Sequence, residues 1–168
     1  MSETGGRVWR FGDDVDTDVL APGIYMKKPL AEMAAHCLEA VDPRFAKEVR
    51  SGDVMVAGRN FGMGSSREQA AQVLVKLGVA AVLAKSFGGI FYRNALNHGL
   101  LALTCRDADR INAGDRLSID GIKGEVVNHR TGERLACDPL PSHLLEMIAD
   151  GGLVAHLEKR LARERAGT

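Results

Sequence analysis

Apolar residues follow two different periods along this chain. Between residues 53 and 104 they come in short runs, Val54-Met55-Val56-Ala57, Val79-Ala80-Ala81-Val82-Leu83-Ala84 and Leu100-Leu101-Ala102-Leu103, each of strand length. The intervening segments carry them at helical spacing: Ala70, Ala71, Val73, Leu74 and Leu77 in one, and a helix over 90–98 closed by Gly99 in the other. Strands alternating with helices predict a largely parallel sheet. Upstream, Arg7-Val8-Trp9-Arg10-Phe11 reads as an opening strand. From Pro29 the stripe Leu30, Met33, Ala34, Cys37, Leu38 and Val41 predicts one helix with proline at a tolerated early position.

After Thr104 the texture changes. Arg116–Asp120 and Ile122–Val127 alternate about Asp120-Gly121, which predicts a hairpin there, and 133–137 adds a further strand. The segments 144–149 and 153–163 read as helices, the second running into a basic, polar and frayed tail. The expectation is a single α/β domain over residues 1–168, with a partly parallel sheet and a β-rich C-terminal third.

The segment that joins the first internal strand to its helix is Gly58-Arg59-Asn60-Phe61-Gly62-Met63-Gly64-Ser65-Ser66-Arg67-Glu68. Ser65 and Glu68 stand at capping-box spacing, which predicts that the helix opens at Ser65. A glycine-lined turn running into a helix N-terminus offers backbone N–H groups to an anion, and Arg67 suits a carboxylate or phosphate. The arginine also argues for an anion beside it, because a cation at a helix N-terminus is otherwise disfavoured. Two nucleotide motifs fail: Arg67 stands where the dinucleotide pattern needs its third glycine, and no Lys-Ser or Lys-Thr pair follows as in a Walker loop.

The same segment resembles the Gly-x-Asn-Phe-Gly-x-Gly-Ser-Ser-Arg-Glu signature of the swivel domain in the aconitase family. Gly12-Asp13 through Thr17-Asp18 and on to Pro22-Gly23 is similar to that family's first block, and Ser86-Phe87, Phe91-Tyr92-Arg93-Asn94 and Gly99-Leu100 to its third. Three blocks in family order between Gly6 and Thr104 imply the aconitase swivel-domain β/β/α architecture, in its form as the separate small subunit of a heteromeric hydro-lyase. The resemblance implies that Ser65 acts as an alkoxide general base and that Ser66 and Arg67 hold substrate carboxylates. It places Asp18 in the active-site shell. It implies a small hydroxy-diacid as substrate, and a large catalytic subunit carrying a 4Fe-4S cluster as partner, with no cofactor and no metal on this chain.

Tyr25-Met26-Lys27-Lys28 follow Pro22-Gly23, in the loop that the resemblance implies reaches over the substrate group that differs between family members. Met26 suits an alkyl substituent and Lys27 or Lys28 a distal carboxylate, so both remain open. Asp13, Asp14 and Asp16 lack the central glycine and closing glutamate of a calcium loop and are expected as turn formers. Asn60, Gly62 and Gly64 are expected to shape the loop, and the five histidines show no metal-ligand spacing.

Composition narrows the field further. Twenty-two basic and 22 acidic side chains in 168 residues cancel, and aromatic residues make up only 5%, so neither nucleic acid nor an anionic membrane is expected as a partner. No apolar run reaches membrane-spanning length and no leader pattern stands at the start, giving a cytoplasmic expectation. Cys37, Cys105 and Cys137 are too scattered for a disulfide framework or a cluster site and are expected as small buried residues. A reading of another class is a stand-alone anion-binding or regulatory module that kept the fold without a catalytic partner.

Overall fold

In a computed structural model describing residues 6–167, four strands, β1 (Val8–Arg10), β2 (Val54–Ala57), β3 (Ala81–Ala84) and β4 (Leu101–Thr104), lie in sequence order in one all-parallel sheet. All four residues of β2 and of β3 are buried, as expected when both faces of a parallel sheet are covered. A second, antiparallel sheet contains β5 (Leu117–Asp120), β6 (Glu125–Asn128) and β7 (Arg134–Ala136). Here burial alternates along β5 and β6, the pattern of a sheet with one covered face.

The two sheets are tied at both edges of the parallel one. An Arg7–Arg116 bridge and the Val8 N–H on the Asp115 carbonyl (2.9 Å) join them beside β1. A Cys105–Cys137 bridge and the Asp138 N–H on the Thr104 carbonyl (2.8 Å) join them beside β4. Helices complete the third layer: α4 (Gln69–Lys76) between β2 and β3, α5 (Gly89–Asn97) between β3 and β4, and α6 (Ser142–Ala149) with α7 (Leu153–Ala166) at the C-terminal end. One hydrophobic core runs through all three layers, with Phe45, Phe61 and Phe91 among its fully buried side chains.

Four expectations are corrected. The helix expected from Pro29 to Val41 is α helical only over α2 (Leu30–Ala34). Leu38 takes a left-handed backbone (φ 61°) with its N–H on the Val19 carbonyl, and a residue in that conformation cannot continue a right-handed helix. The stripe still marks burial, since Met33, Ala34, Cys37 and Leu38 are all inside. The hairpin turn lies over 121–124, one step beyond Asp120-Gly121. Asp120 still pairs with Glu125, its carboxylate accepts the N–H groups of Ile122 and Lys123, and Gly124 supplies the left-handed residue (φ 69°). The basic tail is helical as far as Ala166. The start of α4 is the fourth correction. Two short helices, α1 (Thr17–Leu20) and α3 (Phe45–Glu48), had no sequence signal, being too brief for a periodic stripe.

Candidate active site

The signature loop leaves the carboxyl end of β2, the edge at which open α/β sheets place their ligands. It turns on three residues with positive φ: Asn60 (60°), Gly62 (80°) and Gly64 (114°). A Cβ at Gly62 would stand 2.2 Å from the Phe91 ring, so glycine lets the loop lie flat on α5. Asn60 donates its N–H to Ser86 Oγ (2.8 Å) and its side-chain amide to Asp14 (3.0 Å). Asp13 accepts the Arg59 N–H and Asp16 caps α1 through the Val19 N–H, so these three aspartates serve turns.

Ser65 does not cap α4. The helix begins at Gln69, Glu68 occupies the cap position with helical backbone, and no side chain caps it. Ser65 is bonded to α1 instead: its N–H donates to Thr17 Oγ (3.1 Å), and its own Oγ lies 3.3 Å from the same atom. Capping-box spacing therefore misplaced the helix start by about one turn, because Thr17 offered the serine a tertiary partner in place of the local one. Ser65 and Ser66 are exposed, and among the described residues the N–H groups of Gly64 and Ser66 have no acceptor. The Ser66 carbonyl accepts from the side chain of Asn94, a buried α5 residue (3.4 Å). Asn94 thus positions the Ser-Ser-Arg segment.

Arg67 sits just before α4, its side chain three-quarters covered, donating from Nη1 to Asp18 Oδ1 (2.9 Å) and to the Ala21 carbonyl (2.9 Å). Asp18 is the anion that its position called for, so the electrostatic case for an external anion is met within the chain. Asp18 Oδ1 also accepts the Gly23 N–H (2.9 Å), where a 3-10 turn over Gly23–Tyr25 begins. The Arg67 hydrogen bond, with that N–H, holds the Asp18 carboxyl below its usual range. One carboxylate oxygen therefore ties the arginine to the following loop. Nη2 and Nε of Arg67 have no partner among the described residues and can take a carboxylate edge-on.

The loop residues diverge. Tyr25 stacks on His36 (centroids 3.9 Å apart, 9° between planes) and donates its hydroxyl to Glu39 (3.0 Å), fastening the loop to the turn after α2. Met26 packs against the core, while Lys27 and Lys28 are exposed and make no ion pair among the described residues. The structure thus brings Asp18, Ser65, Ser66 and Arg67 together and leaves the lysines in solvent. Thr17 was missed as a site residue, and the sequence leaves Asn94 open between a packing and a substrate role; only the fold reveals that both meet the signature loop.

The cysteines do not suit a cluster. Ligation needs several grouped thiolates, and among the described residues no three His, Cys, Asp or Glu side chains are grouped for a metal. All three thiols are buried. Hydrogen bonding from Cys137 draws the Cys105 thiol down, the same contact and burial push Cys137 up, and burial pushes Cys37 up. No helix among the described residues is long and apolar enough to cross a membrane.

A layered β/β/α domain with a Ser-Ser-Arg loop at the carboxyl edge of its parallel sheet defines a class, and the family model for the aconitase C-terminal domain matches residues 20–108. The chain belongs to that family. A small subunit of 3-isopropylmalate dehydratase from Archaeoglobus fulgidus is 48% identical over 96% of this chain and 99% of its own length. The methanogen homoaconitase small subunit of Methanothermobacter thermautotrophicus is 49% identical over 93% of this chain and 91% of its own. The crystal structure of a 3-isopropylmalate dehydratase from Methanocaldococcus jannaschii superimposes with a TM-score of 0.90 at 44% identity, covering 97% of this chain and 98% of that one.

Proposed function

We propose that this chain is the small, swivel-domain subunit of a heteromeric aconitase-type hydro-lyase, a 3-isopropylmalate dehydratase acting in leucine biosynthesis in the cytoplasm. The reaction interconverts 2- and 3-isopropylmalate by loss and re-addition of water. The observation that carries the reading is the junction of the signature loop with α1, where an exposed Ser65 meets Thr17 and Arg67 pairs with Asp18, in a chain similar over nearly its whole length to named small subunits.

Ser65 Oγ removes the proton next to a substrate carboxylate. A serine is too weak an acid to do so unaided, so donors must hold its alkoxide, and the Gly64 and Ser66 N–H groups are available. Arg67 takes a carboxylate on its open edge, steadied by Asp18 behind it, and Ser66 assists. The partner large subunit supplies the 4Fe-4S cluster, for which the described residues of this chain group no ligand set. The whole of 1–168 works as one swivel domain.

A second reading, a homoaconitase-type small subunit, is favoured by the two exposed lysines of the loop and by the methanogen relative. Both readings make the same test decisive. The purified chain should bind no stoichiometric iron and show no dehydratase activity, and activity should appear on mixing with a cluster-bearing large subunit. An iron-sulfur cluster reconstituted on this chain alone, or no activity with any such partner, would overturn the proposal.

A further inference from the structure

We infer that Thr17 is a positioning residue for this chemistry, donating its hydroxyl proton to Ser65 Oγ and so stabilising the alkoxide. The inference rests on the assignment of Ser65 as base and adds to it a donor from α1, an element outside the signature loop.

The direction of the hydrogen bond follows from satisfaction. Thr17 is only 3% exposed, and among the described residues its Oγ meets just two groups, the Ser65 N–H at 3.1 Å and Ser65 Oγ at 3.3 Å. The N–H can only donate, so it uses a lone pair of the threonine. If Ser65 also donated to Thr17, the threonine proton would be buried without an acceptor, an arrangement native structures avoid. Ser65 is exposed and can give its own proton to water or substrate. Thr17 is therefore the donor, and the N–H arriving on its oxygen polarises its O–H further.

A donor aimed at Ser65 Oγ gains strength as that atom becomes negative, because hydrogen bonds to an ionised oxygen are shorter and stronger than those to a neutral one. The contact is long while serine is neutral and has room to tighten as the proton leaves. Thr17 is also well held: its own N–H donates to the Met63 carbonyl (2.9 Å), and Asp16 caps the helix it opens. Gly64 leaves the space the hydroxyl occupies, since a Cβ there would stand 2.8 Å from Thr17 Oγ.

The experiment compares Thr17→Val and Thr17→Ser in the complex reconstituted with the large subunit, with Ser65→Ala beside them. Thr17→Val is expected to lower kcat by about 10²-fold, the scale of losing one donor to a developing oxyanion. KM should stay within about twofold, and the rising limb of kcat should move to higher pH, because the alkoxide loses a stabilising donor. Thr17→Ser, which keeps the hydroxyl, should restore both. The charged and titratable groups about the loop are Asp13, Asp14, Asp16, Asp18, Arg59, Arg67, Glu68 and His98, the last 3.9 Å from Glu68. A His98→Gln control separates histidine titration from that of the serine. If Thr17→Val does not fold, Thr17→Cys, a poorer donor of similar size, should show the same two changes in smaller measure. Wild-type kcat and an unmoved pH limb in a folded Thr17→Val, or in Thr17→Cys should it stand in, would overturn the role of Thr17 while leaving Ser65 intact. A fully active Ser65→Ala would instead overturn the base on which it rests.

Discussion

Ser65 and Arg67 divide stability from chemistry. In the folded chain Ser65 Oγ makes one long hydrogen bond at an exposed position. Because it also leaves the buried Thr17 hydroxyl without its acceptor, Ser65→Ala should cost about 1–3 kcal/mol of stability, while removing the proposed general base should lower turnover in the reconstituted complex by about 10²–10⁴-fold. Denaturant unfolding and kcat, measured on the same preparation, are expected to separate. Unimpaired turnover, or inactivity traced to unfolding, would remove the serine from the mechanism. Arg67→Lys tests another property, the planar fork. Lysine can keep a contact with Asp18 but has no planar second edge to offer a carboxylate bidentately, so KM should rise with kcat reduced less.

At the scale of elements, the segment from α1 through the 3-10 turn to α2 links the proposed carboxylate clamp at Arg67 to the loop proposed to set substrate choice. Asp18 holds Arg67 and the Gly23 N–H through the same oxygen, and Tyr25 anchors the loop's far side on His36 and Glu39. Met26→Ala, Lys27→Ala and Lys28→Ala are expected to change relative kcat/KM among isopropylmalate, homoaconitate and dimethylmalate. An alkyl-selective loop should respond most to Met26, a carboxylate-selective one to the lysines. Equal substrate ratios in all three variants would detach the loop from specificity. The β-α units from β2 to β4 were legible in the sequence because each apolar run has strand length and each helix between them is long enough to show a stripe. The site was legible only as a string of residues. Nothing local to Ser65 announces that its partner is Thr17, 48 positions away, and Glu68 at the right spacing pointed to a cap that a tertiary bond displaces. Leu38 escaped for the same reason, its left-handed turn being set by a carbonyl on α1.

For the whole molecule, the decisive contacts are those that hold the antiparallel sheet to the edges of the parallel one, because the site's scaffold is only as rigid as that join. Beside β1 the join runs through Asp115, which is 1% exposed. Its backbone carbonyl accepts from Val8, and its carboxylate from the Asn112 N–H (2.8 Å), the Asn128 side chain (2.8 Å) and the Arg130 guanidinium. Burial is the largest single influence and pushes this carboxyl up, but Arg130 and the two neutral donors together outweigh it and hold it below the ordinary 3.8. A carboxyl depressed by folding stabilises the fold above its unfolded value, and that stability is lost as pH falls through the folded value. At neutral pH the contribution is fully present; it begins to be lost as pH falls below about 3.8 and is gone below the depressed folded value. Arg130→Ala removes the main lowering influence and leaves the carboxylate buried with neutral donors only. The midpoint of acid unfolding, followed by circular dichroism, should then move upward. Added salt should shift the wild-type midpoint less than it would for a fully exposed pair, since one partner is out of solvent. An unmoved acid midpoint in Arg130→Ala would mean that Asn112 and Asn128 alone hold Asp115, and that the ion pair does not fasten the two sheets.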